Sequence, residues 1–124
     1  MDKRLTKNFL RSEFTCKCGC GFNVIQTDFV RRLQMIRTLI RRPLTVVSGC
    51  RCAKHNRYVG GATKSRHLRG IAVDVKATGL TPKQIASIAR SLGFGGIGIG
   101  KTFVHLDFRS TPCEWKYLTP RKTK

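Results

Sequence analysis

From Thr27 to Arg42 the apolar residues Phe29, Leu33, Ile36 and Ile40 recur at helical spacing, with Arg31, Arg32 and Arg37 on the opposite side. The spacing predicts an amphipathic helix, which Pro43 ends. Leu44 to Ser48 is a short β-rich run before a turn at Gly49, and Ile71 to Val75 reads as a second strand. Thr81-Pro82-Lys83-Gln84 has the form of a capping box with proline in the first turn; Ile85, Ile88, Ala89 and Leu92 supply an apolar stripe and Gly93 closes this second helix. Phe103 to Phe108 alternates with period two, so His105 and Asp107 share one face while Val104, Leu106 and Phe108 share the other. By the same period Asp74 points away from Ile71, Val73 and Val75.

These elements predict an α+β fold in which a small antiparallel sheet is backed by two helices. Between them, Cys50 to Arg69 shows no period and contains Gly60-Gly61, and reads as a long loop of the kind that carries function in compact domains. The 124 residues suit one domain, expected over 1–119, with a basic and disordered tail over 120–124. Gly95 to Thr102, GGIGIGKT, satisfies the phosphate-loop pattern in letters only. That loop needs a strand before it and a helix after it, whereas here a helix precedes and a strand follows; a glycine-rich connection passing close to a site is the better account.

Charge changes the picture next. Twenty-five Lys and Arg against six acids leave a net charge of +19, which steers the chain toward polyanions: an anionic cell-wall polymer, nucleic acid or acidic lipid headgroups. No nucleic-acid-binding motif accompanies the charge, so a nucleic-acid partner is expected to be non-specific. The stretch MDKRLTKNFLRSEF lacks the apolar run of a secretory signal, and nothing later is long enough to span a bilayer. Synthesis in a cytoplasm is expected, without a signal peptide, and as a monomer. In that compartment the six cysteines, Cys16, Cys18, Cys20, Cys50, Cys52 and Cys113, are thiols or metal ligands more readily than disulfides. The segments CKCGC and GCRC offer thiolates to a structural zinc, although C-x-C is shorter than the usual C-x-x-C; the alternative is small thiols packing two adjacent loops.

Only three histidines occur, yet two of them fall beside acids: His67 and Asp74 within SRHLRGIAVDV, and His105 with Asp107 in FVHLDF. If the two strands are neighbours, Asp74 and His105 converge on one polar face and the loop delivers His67. Two imidazoles and a carboxylate suit a catalytic zinc, which takes three protein ligands at about 2.0–2.2 Å and keeps a fourth position for water. The competing reading is a satisfied polar cluster with no metal.

The stretches EFTCKCGCGF, VSGCRCAKHN, VGGATKSRHLRGIAVD and FVHLDFR decide between these readings. From about Phe14 to Tyr117 the chain resembles the small phage and bacterial branch of the peptidase M15 family, the zinc D-Ala-D-Ala carboxypeptidases and related endolysins. The resemblance implies a hedgehog/D-Ala-D-Ala-peptidase-like fold, zinc on His67, Asp74 and His105, and a peptide substrate held by Arg51 and Ser65. It also implies hydrolysis of peptidoglycan stem peptides at the bacterial cell wall, by a carboxypeptidase or an L-alanyl-D-glutamate-type endopeptidase. An arginine fork suits the carboxylates of such peptides, though Arg51 is also one basic residue among 25 and Ser65 also fits a plain turn. His55 matches no ligand position and is left outside the site. One departure stands out: several family members carry an acidic base three residues before the last zinc histidine, where this chain has Thr102. Asp107 is the first candidate for the base, with Glu13 and Glu114 as alternatives; Asp107 also suits the orientation of a ligand or pairing with Arg109. Trp115 and Tyr117 are candidates for the wall of a substrate groove. Two alternatives to an enzyme stand beside this: a basic polyanion- or nucleic-acid-binding protein whose zinc is structural, and an inactive binding protein with a retained zinc site, as in hedgehog domains.

Overall fold

A computed structural model describes residues 3–60 and 66–117, with the side chain of Leu68 excepted. Ser65 and the tail 120–124 lie outside the described residues. The chain starts with a hairpin, β1 (Arg4–Thr6) and β2 (Phe9–Leu10), and a 3-10 turn at Arg11–Phe14. It continues through α1 (Thr27–Ile40), β3 (Thr45–Ser48), a short α2 (Ala53–Tyr58), a 3-10 turn at Arg66–Arg69, β4 (Ala72–Lys76) and α3 (Pro82–Ser91). Strands β5 (Gly96–Ile99), β6 (Val104–Asp107) and β7 (Cys113–Lys116) finish it.

Strands β3 to β7 form one five-stranded sheet in the order β3-β4-β6-β5-β7. All pairs are antiparallel except β5 with β7, which run parallel at the edge. The α+β architecture is therefore as expected, with a mixed edge and a third, short helix added. That helix and the 3-10 turn at Arg66–Arg69 occupy what the sequence left as an aperiodic loop, and GGIGIGKT contributes strand β5 where a connection was expected.

One face of the sheet is apolar and carries the helices. Val73 and Val75 of β4, Val104 and Leu106 of β6 and Ile97 of β5 are buried against Phe29, Leu33 and Ile36 of α1 and Ile85, Ala86 and Ala89 of α3. Burying each such aliphatic or aromatic side chain contributes roughly 1.5–3 kcal/mol, enough in sum to fix which face looks inward. Helix α3 begins as its sequence dictates: Thr81 Oγ1 accepts from the Gln84 amide (3.2 Å), Gln84 Oε1 accepts from the Thr81 amide (2.8 Å), and Pro82 opens the first turn. Helix α1 stops when Arg41 takes a left-handed conformation (φ 56°), before Pro43 is reached.

The opposite face is polar. Register places Ser48, Asp74, His105, Gly98 and Trp115 in one row across all five strands, and Ala72, Asp107, Gly96 and Cys113 in the next row but one. A one-residue slip in any pair would turn these side chains into the core, so burial of the helix-facing valines holds the polar row in place.

Candidate metal centre

Asp74 and His105 are direct cross-strand partners, and His67 reaches them from the 3-10 turn at Arg66–Arg69. The turn is tied down because its His67 carbonyl accepts the amide of Arg51 (3.1 Å). Three ligand atoms then face one another: His67 Nε2 lies 3.3 Å from His105 Nδ1 and 3.3 Å from Asp74 Oδ1, and His105 Nδ1 lies 3.0 Å from Asp74 Oδ1. A tetrahedral ion bound at about 2.0–2.1 Å sets its ligand atoms roughly 3.3 Å apart, so the triangle has the dimensions of one face of a zinc site. The three residues expected from sequence are thus brought together, all buried.

The far nitrogens explain why the near ones point inward. His67 Nδ1–H donates to the Gly49 carbonyl at 2.6 Å, which leaves Nε2 as a lone pair. His105 Nε2–H donates to Asp107 Oδ2 at 2.7 Å, which turns Nδ1 toward Asp74. Metal-binding histidines are held in this way by a carbonyl or carboxylate on the remote nitrogen. Asp74 Oδ2 is held in turn by Arg51 Nη2 at 3.2 Å, while Arg51 also donates to Asn56 Oδ1 (3.0 Å) and Ser48 Oγ (3.3 Å).

The electrostatics agree. Burial lowers the pKa of His67 to about 4, so it stays a neutral donor atom. For Asp74 burial works upward, but the facing histidines outweigh it and hold the carboxyl well below its ordinary value. His105 is the reverse case: burial works downward, yet its hydrogen bonds to Asp107 and Asp74 raise it. Two nitrogens and an anionic oxygen this close call for a cation among them, either a proton on His105 or a divalent ion. The donor set fits zinc.

Asp107 is fully buried, and both of its oxygens are engaged: Arg109 Nε donates to Oδ1 (3.0 Å) and Arg109 Nη2 to Oδ2 (2.8 Å), beside the His105 bond. Burial alone would raise its pKa, but His105 and Arg109 hold it far below the usual carboxylate range. Glu114 faces the helix side in register with Ile97 and forms a bidentate pair with Arg90 (2.6 and 2.7 Å). Glu13 accepts the Leu10 amide and Asp28 pairs with Arg31. Among the described residues, then, Asp74 and Asp107 are the acids in the site. Arg51 does reach the site, but it is 1% exposed and grips Asp74 from beneath.

Strand β5 lets this site form. A side chain at Gly96 would collide with the Asp107 carboxylate, and one at Gly98 would sit 2.6 Å from the Trp115 indole. The indole thereby comes within 5.3 Å of the His105 ring and lies under the Arg109 guanidinium at 4.7 Å. Tyr117 and Phe103 continue the aromatic side. His55, set aside on sequence grounds, is buried on α2 with its ring stacked on Tyr58. The positioning roles of Gly49 and Asn56 were missed in the sequence, because a backbone carbonyl facing His67 and an amide holding Arg51 leave no local pattern; the pairing of Asp107 with Arg109, weighed there beside catalysis, is present.

A family model described as Peptidase M15 matches residues 7–107, a span that contains all three candidate ligands and Asp107. No curated protein matches the chain.

Proposed function

The chain belongs to the peptidase M15 family, a family of zinc peptidases, and from that premise we propose that it hydrolyses a peptide bond in the stem peptides of peptidoglycan. The observation that carries the reading is the triangle of His67 Nε2, Asp74 Oδ1 and His105 Nδ1, with edges of 3.0–3.3 Å. Zinc held on these atoms would supply Lewis acidity toward a water and the scissile carbonyl. The protein's part is to hold the ligands still. Gly49 fixes the His67 ring, Asp107 with Arg109 fixes the His105 ring, and Arg51 fixes the Asp74 carboxylate. We read Asp107 as a positioning residue, in place of the proton acceptor expected from sequence, because its oxygens are engaged and its proton affinity is depressed. Trp115 offers the substrate a flat apolar wall beside His105. The role of Ser65 in holding substrate rests on the motif alone.

The net charge of +19 suits a target embedded in anionic wall polymer, in keeping with an endolysin-type enzyme. Among the described residues no helix is long and apolar enough to cross a membrane. A second reading, a zinc-bearing binding protein without turnover, is favoured by one observation: Thr102 stands where an acid is common, and no described acid beyond Asp74 and Asp107 enters the site. Incubating purified peptidoglycan with the zinc-loaded chain, with and without chelator, decides between them. Release of new amino termini or of free D-alanine that stops on chelation supports the peptidase and tells endopeptidase from carboxypeptidase; wall binding with no product supports the binding protein.

A further inference from the structure

We propose that Cys16, Cys18, Cys20 and Cys52 bind a second zinc ion, one with a structural role. The sulfur of Cys16 lies 3.5 Å from that of Cys18 and 3.8 Å from that of Cys52, with Cys18 and Cys52 3.6 Å apart; the four sulfurs lie within 4.8 Å of one another. Four thiolates bound tetrahedrally at about 2.3 Å are spaced roughly 3.8 Å apart, whereas a disulfide needs about 2.05 Å. The cluster therefore has metal-site dimensions.

The C-x-C spacing works here because the chain turns sharply between cysteines. Gly19 (φ +86°) and Gly21 (φ +88°) take left-handed conformations, and the Cys16 amide closes the loop on the Phe22 carbonyl at 2.7 Å. Three sulfurs are thrown to one side, and Cys52, at the start of α2, supplies the fourth from 32 residues beyond Cys20. Backbone amides already point at these sulfurs: Cys52 N–H at Cys16 (3.4 Å), His55 N–H at Cys52 (3.4 Å) and Phe22 N–H at Cys20 (3.5 Å). Such donors stabilise thiolate charge. Four thiolates around a divalent ion leave a net dianion, and Lys17 and Lys54 line the adjoining hollow of about 560 Å³ to balance it.

The other two cysteines stand apart. Cys50 is buried and donates to the Val24 carbonyl at 3.2 Å, so GCRC contributes one ligand and not two; Cys113 lies on edge strand β7. Cys18 and Cys20 are exposed, which disfavours simple thiol packing as their role. With four protein donors the site is closed, so its metal stabilises and does not catalyse. It would staple the N-terminal segment to Cys52, the residue after Arg51, and so brace the side chain that grips Asp74. The inference does not depend on the peptidase reading.

Three measurements on the full chain, purified under reducing conditions, test it. Elemental analysis should find about two zinc per chain in the parent and about one in Cys18→Ser/Cys20→Ser. Metal-free protein reconstituted with cobalt should show thiolate-to-cobalt charge-transfer absorption, retained in His67→Ala and lost in the double cysteine variant. Zinc should shield the four thiols of the parent from alkylation until chelator is added. Cobalt-loaded parent protein without that absorption, or four thiols alkylated freely in the presence of zinc, overturns the proposal however the variants fold. Loss of peptidase activity with both zinc equivalents retained would instead count against the function proposed above and leave this site standing.

Discussion

The indole of Trp115 covers Gly98 so closely that a methyl group there would lie 2.6 Å from its ring atoms, and this contact brings the ring to the edge of His105. Gly98→Ala is therefore expected to displace Trp115. Overpacking of this kind costs about 1–3 kcal/mol, and the aromatic wall beside the metal ligands moves with it. Zinc content should stay at the parental value while KM for a stem peptide rises and tryptophan fluorescence shifts to the red. An unchanged KM would remove Trp115 from substrate binding.

Asp107→Asn separates positioning from proton transfer. Loss of a carboxylate behind a ligating histidine typically weakens metal affinity by about 10–100-fold. Because Asp107 holds His105 Nε2 at 2.7 Å, the variant should lose zinc to a chelator at lower concentration, and saturating zinc should restore part of its turnover. A variant with parental zinc affinity and no turnover would return Asp107 to the role of base.

Arg51→Met should destabilise the metal-free protein strongly. It leaves Asp74, a buried carboxylate, without its guanidinium partner at 3.2 Å, a change that costs roughly 3–5 kcal/mol at such sites. Zinc loading should recover more stability in this variant than in the parent, since the ion replaces the missing positive charge. Denaturant titration of both proteins, with and without zinc, measures this; equal gains in the two would show that Arg51 does not serve Asp74.

Salt should distinguish wall attraction from chemistry. The +19 charge acts at long range, and screening shortens from about 10 Å at 0.1 M to about 3 Å at 1 M ionic strength. Digestion of whole cell walls should slow markedly across that range, whereas turnover of a short neutral stem peptide should change little. If both fall together, the charge acts inside the site and not in steering.

Much of the site was legible because it is written in short-range alternation. The period-two pattern of FVHLDF alone put His105 and Asp107 on one face, and β6 carries them so. The capping box at Thr81 and the apolar stripe of α1 were equally local, and both helices follow them. Strand β5 was missed since its inward side chains are only Ile97 and Ile99, with glycines between that read as a connection until the carboxylate and indole they admit are seen. Helix α2 escaped for a related reason: its six residues are too few to show a period.

Residue order by itself determined helices α1 and α3, strands β3, β4 and β6, the apolar side of α1, α3, β4 and β6, and the identity of three candidate metal ligands, since propensity, capping and periodicity act within a few residues. Strand register, the burial of Arg51 beneath Asp74, the hold of Gly49 on His67 and the gathering of four sulfurs were decided only by tertiary structure. These depend on distances between segments far apart in the chain, and close packing of the shared core sets those distances, which no local pattern records.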